Sequence, residues 1–251
     1  MKYYGLTDRG KLRKTNQDNY VIATNENGDV FAIVCDGIGG GRGGDIASHL
    51  AVSYFSVAFA SNKGFSSGME VRSWIAKHVE EANRQIYQMG MENSELKGMG
   101  TTFCAVMITS VGNYIANIGD SRVYSYKRTS IFKPITTDHT LVNDMIRHGE
   151  LTPKEAAVYP QKNVLTNALG VWLNVKCDIE AYSEKVDGFL VCSDGLYGYV
   201  SEKVLKKIVF DSDNHPVLRV KQLIKAAMNA GGFDNITAIL IDLEGDETHG
   251  K

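Results

Sequence analysis

Two apolar runs in this chain each end on an aspartate followed by glycine. Val30-Phe31-Ala32-Ile33-Val34-Cys35 leads into Asp36-Gly37, and Gly188-Phe189-Leu190-Val191-Cys192-Ser193 leads into Asp194-Gly195. A third acidic corner, Asn117-Ile118-Gly119-Asp120-Ser121-Arg122, stands where one strand gives way to the next, and Asp234-Asn235 precedes the last apolar run. Any one of these is ordinary turn chemistry, because Asp and Gly both favour tight corners. Recurring beside apolar strands, they place carboxylates at the rims of sheets. If several rims meet, the result is an oxygen-only cage for hard divalent cations. Two carboxylates about 4 Å apart repel by roughly 4 kcal/mol at an effective dielectric near 20, so such a cluster calls for cations or protons.

The surrounding pattern predicts short antiparallel strands interrupted by paired helices. Strands are expected over residues 18–24 and 30–35, joined by the Asn-Gly turn at 25–28, and then over 101–109, 114–117, 122–127, 176–183, 188–192 and 235–243. Helices are expected over 45–61, 70–91, 201–210 and 216–230; in the second, Trp74, Ile75, Val79, Ala82, Ile86 and Met89 recur at helical spacing and read as core. Residues 138–159 are polar, helical in pattern and broken by Gly149 and Pro153, which reads as an insertion between strands. Strict βαβ alternation is missing, so an α+β sandwich is expected rather than a doubly wound nucleotide fold.

The chain has 251 residues, enough for a substantial core, and a formal charge of −2, which gives no global attraction for nucleic acid or an anionic membrane. No apolar run reaches the length of about 18 residues that spans a bilayer, and the first residues lack the apolar core of a signal peptide, so a cytoplasmic protein is expected. Cys35, Cys104, Cys177 and Cys192 show no C-x-x-C pairing, which argues for buried thiols rather than zinc or disulfides.

In order, these landmarks resemble the metal-dependent PPM, or type 2C, protein serine/threonine phosphatases, in their bacterial stand-alone form. The resemblance runs from about Gly5 to about Leu243. It is carried by Thr7-Asp8-Arg9-Gly10 with Arg13-Lys14-Thr15-Asn16-Gln17-Asp18, by Val34-Cys35-Asp36-Gly37-Ile38-Gly39-Gly40, and by Gly100-Thr101-Thr102. It continues through Gly119-Asp120-Ser121-Arg122, Thr137-Asp138-His139, Leu169-Gly170, Cys192-Ser193-Asp194-Gly195-Leu196 and Asp234-Asn235-Ile236-Thr237.

The resemblance implies a four-layer α/β/β/α sandwich, two antiparallel sheets flanked by helix pairs, with a dimetal site at one edge. It implies a single domain over residues 1–245 with a flap near 138–160 and a polar tail over 246–251. Two Mn²⁺ or Mg²⁺ ions would be held in the core site. Asp36 would bridge them, the Gly37 carbonyl would ligate the second, and Asp194 and Asp234 would complete the first. Asp120, with Asp194, would hold a third, weaker ion. Asp18 would orient water, and Arg13 would grip the substrate phosphate through its planar fork of donors. The implied reaction is hydrolysis of phosphoserine and phosphothreonine by a metal-bridging hydroxide, without a phospho-enzyme. Its partners would be phosphorylated proteins, substrates of a bacterial Ser/Thr kinase, and the enzyme itself a monomer without nucleic-acid or membrane partners.

The chain also departs from the family pattern. Ile38 stands where animal members carry a histidine proposed to protonate the leaving alkoxide, which leaves the general acid to water on a metal. Gln17 replaces a glutamate ligand of animal members, and Gly41 replaces a histidine common in bacterial relatives. The glycine-rich 39–44 segment suits either a mobile lip at the metal site or tight helix packing. It is not a Walker loop, since no Gly-Lys-Ser/Thr follows. His139 reads as a hydrogen-bonded structural residue and Arg122 as an ion-pair partner near the site. Two competing readings are a catalytically inactive phosphoprotein-binding regulator and a phosphomonoesterase of small metabolites.

Overall fold

The computed structural model describes residues 1–39, 43–128 and 130–243. Gly40, Gly41 and Arg42 of the glycine-rich segment, with the substitution noted at Gly41, lie outside the described residues, as does the polar tail.

In chain order the strands are β1 (Lys2–Asp8), β2 (Asp18–Thr24), β3 (Val30–Ile38), β4 (Gly100–Thr101), β5 (Phe103–Thr109), β6 (Gly112–Ile118), β7 (Arg122–Lys127), β8 (Ile131–Pro134), β9 (Asp178–Tyr182), β10 (Gly188–Cys192) and β11 (Ile236–Asp242). The helices are α1 (Gly43–Ala60), α2 (Gly68–Glu92), α3 (Leu141–Arg147), α4 (Pro153–Ala157), α5 (Asp194–Tyr197), α6 (Glu202–Val209) and α7 (Pro216–Asn229). A 3-10 turn over Ser94–Leu96 follows α2.

A five-stranded sheet runs β1-β11-β10-β7-β8, and a six-stranded sheet runs β2-β3-β5-β6-β9 with β4 beside β3. Neighbouring strands pair antiparallel throughout. Side-chain alternation then assigns the layers. On β3, Phe31, Ile33 and Cys35 pack under α1 and α2, while Ala32 and Val34 turn inward against Val191 and Ile239 of the other sheet. On β10 and β11, Leu190, Cys192, Ala238 and Leu240 face α6 and α7. The expected α/β/β/α sandwich follows from these three apolar layers. Strands covered on both faces need apolar residues at every position, which is why their sequences read as continuous runs.

The differences from the sequence-based expectations have local causes. β1 and β8 have no counterpart among the expected strands, because each lies at a sheet edge with few buried positions. The 101–109 run is two strands, since at Thr102 the backbone N–H turns to the Asp36 carbonyl at 2.8 Å. Met89, expected in the core, is 37% exposed near the end of α2, while Ile75, Val79, Ala82 and Ile86 are buried as expected. The 138–159 insertion folds as α3 and α4. Gly149 follows α3 with φ +76°, and α4 opens on Pro153 with Thr152 as its side-chain cap.

Candidate metal centre

Antiparallel register gathers the acidic corners at one end of both sheets. Asp18 opens β2 directly opposite Asp36 near the end of β3. Phe103 of β5 faces Ile118, just before the Gly119-Asp120 corner. Cys192 faces both Arg122 and Ala238, so Asp194 leaves its strand beside the start of β7 and of β11. A cavity of about 280 Å³ at this end is lined by Arg13, Asp36, Gly37, Asp120, Asp194 and Asp234.

Each carboxylate has its own support. The Asp36 N–H donates to Thr102 Oγ1 at 2.8 Å, and its carbonyl accepts from the Thr102 N–H and from Thr101 Oγ1 at 2.9 Å. The Gly-Thr-Thr landmark therefore clamps the backbone of β3. Gly37 is glycine for lack of space: a Cβ would lie 2.1 Å from the Gly44 carbonyl oxygen and 2.6 Å from that of Gln17. Of the glycine-rich segment, Gly44 is pressed against this backbone, at the contact between β3 and the start of α1.

Asp18 is buried, and its Oδ2 accepts from Ser193 Oγ and Thr237 Oγ1, each at 2.7 Å. Asp234 accepts from Arg13 Nη2 at 2.8 Å. Asn235 ties down the loop that carries Arg13: its Nδ2 donates to the Arg9 and Thr15 carbonyls at 2.8 and 3.0 Å, and its Oδ1 accepts from the Gln17 N–H at 2.8 Å.

The Asp120 corner is fixed from two sides. Gly119 has φ +100°, and a Cβ there would lie 2.6 Å from Thr102 Cγ2. Its N–H donates to His139 Nδ1 at 3.2 Å, so the ring proton sits on Nε2, which donates to Asp178 Oδ2 at 3.0 Å. Tyr197 Oη donates to the Asp120 carbonyl at 2.8 Å, linking α5 to the same corner. Arg122 forks onto Asp138 at 2.7 and 2.9 Å and lies 3.8 Å from the Tyr197 ring centroid. His139 and Arg122 thus hold the structural places expected of them.

Electrostatically the cluster is strained. Burial, then the neighbouring charges of Asp18, Asp194, Asp120 and Asp234, hold the Asp36 carboxyl well above the usual carboxylate range. Burial raises Asp194 too, with the Asp234 charge adding to it and contact with Asp36 opposing it. Burial also pushes Asp18 up to about 6, against its two hydroxyl hydrogen bonds, and Asp120 up to about 7. Asp18 Oδ1 and Asp194 Oδ1 are buried without any hydrogen-bond partner.

Unpartnered carboxylate oxygens in an all-oxygen ring are the donor set that hard divalent cations take. Among the described residues, no group of three or more Asp, Glu, His or Cys side chains stands together as a ready-made metal site. Arg13 engages Asp234, and Asp194 is in contact with Asp36. A neighbouring cavity of about 520 Å³ shares Asp120 and Asp194 and is walled by α3 and α4, with Val142, Ile146, Ala156 and Lys162 on its lining.

Ser193, Thr237, Thr102 and Asn235 fall within the sequence landmarks, but the sequence alone assigns them no work, and Tyr197 lies just outside those landmarks. One signal that points to such supports is a polar residue inside a doubly covered strand, as Thr237 is between Ile236 and Ala238.

Among the described residues no helix is long and apolar enough to cross a membrane. The family model for protein phosphatase 2C matches residues 11–229. The chain is 36% identical to the serine/threonine phosphatase Stp of Listeria welshimeri over 94% of its length and 93% of that protein's. It is 37% identical to the protein phosphatase PhpP of Streptococcus pneumoniae, over 96% and 97% of the two chains. The solved serine/threonine phosphatase of S. agalactiae superposes with a TM-score of 0.89 at 35% identity, covering 97% of this chain and 99% of that one. On the matched family model, these relatives and the shared sandwich, the chain belongs to the protein phosphatase 2C family.

Proposed function

We propose that this chain is a metal-dependent protein serine/threonine phosphatase whose chemistry takes place in the cavity ringed by Asp36, Asp120, Asp194 and Asp234. The observation that carries the proposal is the meeting of these carboxylates and Arg13, distant in sequence, around one cavity. Metal dependence belongs to the family; the oxygen-only donors favour Mn²⁺ or Mg²⁺ over zinc. Asp36, the Gly37 carbonyl, Asp194 and Asp234 are assigned to two ions, and Asp120 with Asp194 to a weaker third. When bound, such ions supply Lewis acidity that activates water and screens the phosphoryl charge.

The chain's own groups do the rest. Arg13 presents a planar fork to the phosphate oxygens, exchanging part of its contact with Asp234 for the substrate. Asp18, pinned on one oxygen by Ser193 and Thr237, keeps Oδ1 free to accept a hydrogen bond from the attacking water and orient it. Among the described residues no histidine lines this cavity, so the proton for the departing serine or threonine alkoxide is assigned to solvent.

We further assign residues 138–160 to a flap over the larger cavity and residues 1–245 to one catalytic domain. The substrates are phosphoproteins, in keeping with the similarity to Stp and PhpP; the setting assigned is a cytoplasmic monomer opposing a Ser/Thr kinase. The test is hydrolysis of a phosphothreonine peptide with and without Mn²⁺, beside Asp194→Asn. Turnover should require the ion and fall by at least about a hundredfold in the variant. Full turnover in the variant, or without metal, would overturn the mechanism, and a strong preference for small phosphorylated metabolites would overturn the protein substrate.

A further inference from the structure

Beside the cavity lies a surface of which the reaction itself uses only Arg13. The β1–β2 loop carries Arg9, Lys11, Arg13 and Lys14, all exposed, in a chain whose overall charge is −2. Arg13 is committed to Asp234, and the one acidic side chain at the start of the loop, Asp8, turns back to accept the Gly10 N–H at 2.8 Å. Among the described residues, no carboxylate pairs with the Lys11 or Lys14 ammonium.

This loop is not a free strand of chain. Besides the Asn235 clasp, the Lys11 and Leu12 N–H groups donate to the Gly232 carbonyl at 2.8 and 3.3 Å. That contact sets the loop against the turn that leads into Phe233 and Asp234. There the surface becomes apolar: Leu12 is 66% exposed, Phe233 47% and Tyr199 43%. The Phe233 and Tyr199 rings pack at 5.3 Å between centroids. Tyr199 also lines the neighbouring cavity of about 520 Å³, which shares Asp120 and Asp194 with the carboxylate ring.

We propose that this cationic and aromatic rim is a docking surface for the segment of a phosphoprotein flanking the phosphorylated residue. It selects acidic segments that carry an apolar side chain next to that residue. The inference rests on the reading of the chain as a protein phosphatase. Its own support is charge complementarity and continuity with the phosphate grip: Lys11 and Lys14 flank Arg13, so a peptide whose phosphate reaches Arg13 must pass over them. Exposed pairs of this kind act mainly on encounter and are screened by salt. Exposed aromatic pairs give a rigid anchor at small entropic cost.

The experiment compares matched phosphothreonine peptides with acidic, neutral and basic flanks, each referred to p-nitrophenyl phosphate measured on the same Mn²⁺-loaded enzyme. The peptide-to-p-nitrophenyl-phosphate ratio of kcat/KM should be about tenfold higher for acidic than for basic flanks, as two or three exposed pairs supply. The preference should shrink at high salt and reverse in Lys11→Glu/Lys14→Glu. A flank-independent ratio in the wild type, or a double variant that keeps the acidic preference, overturns the docking surface while leaving the phosphatase reading intact. A wild type that hydrolyses p-nitrophenyl phosphate but no phosphopeptide sinks both.

Discussion

The two ends of the β11 region treat buried charge in opposite ways. At its far end Asp242 accepts from Arg219 and Tyr126 and pairs with Arg128 at 3.1 Å. Arg219 is wholly buried and spends its remaining donors on the Val209 and Asn214 carbonyls at 2.8 and 3.0 Å. At the near end, Asp234 joins the ring of Asp36, Asp120 and Asp194, with Asp18 buried beside it, and Arg13 is the cation that pairs directly with one of these carboxylates. One end is balanced within the chain; on the proposed reading the other is balanced by bound cations. On that reading, buried charge marks function here where the chain does not compensate it, and architecture where it does.

Breaking the balanced end gives the largest expected effect on folding. Arg219→Ala leaves Asp242 short of its main buried partner and should cost about 3–5 kcal/mol, read by urea unfolding. A loss below about 1 kcal/mol would mean that Arg128 and Tyr126 suffice to hold Asp242, and the contrast would weaken.

The unbalanced end should show itself in the metal-free protein. Asp18 and Asp120 have folded pKa values of about 6 and about 7, above the ordinary carboxylate value. The folded state therefore binds more protons than the unfolded state between about pH 4 and pH 7. The stability linked to these groups is full below about pH 4 and lost as pH rises through 6 to 7, on the order of 3 kcal/mol for Asp18 alone. In chelator-treated protein the melting temperature should be lower at pH 7.5 than at pH 5.5, and Mn²⁺ should restore it at the higher pH. A metal-free melting temperature that rises between these two values would contradict the electrostatic account of the ring.

Next in size is Arg13→Ala. It should raise KM for a phosphopeptide by about tenfold, the worth of one charge-assisted contact, and change kcat less. An unchanged KM removes Arg13 from phosphate binding. The smallest effect separates two variants of His139. Asn can keep the acceptor for the Gly119 N–H, whereas Gln can keep the donor to Asp178. If the Gly119 contact is what fixes Asp120, then His139→Gln should need several-fold more Mn²⁺ for half-maximal thermal stabilisation than His139→Asn. Equal requirements would leave His139 a purely structural residue.

The amino-acid sequence carries much of this contrast, though unevenly. The aspartates are legible in it because Asp36 and Asp194 end apolar runs, Asp120 marks a strand corner and Asp234 precedes the last run, and the 138–159 insertion because its polarity differs from the sheets. β1 is not legible. Gly5 sits mid-strand because the Tyr20 ring lies over it, 2.5 Å from where a Cβ would be, and Tyr20 Oη donates to its carbonyl at 2.9 Å. A strand interrupted by glycine and half exposed gives no period. β8 fails for a related reason, being short, at an edge and ended by Pro134.

At the site, the carboxylates can be found from sequence and their supports cannot. Thr102 serves Asp36 from 66 residues away, and Asn235 serves Thr15 across 220. Hydrogen bonds of that span leave no local signature. Arg219 is the converse case: nothing in a polar helix face near Pro216 announces a wholly buried guanidinium.

The pairing of β1 with β11, Tyr4 opposite Leu240, has a consequence for how the enzyme comes into being. The β1 segment must wait for β11, far later in the chain, before this sheet can close. Arg13 cannot meet Asp234, nor Asp18 find Thr237, until translation has passed those codons. On the proposed roles of Arg13 and Asp18, a nascent chain is without hydrolytic power until β11 emerges from the ribosome, and termination within that strand would leave no partly active fragment behind.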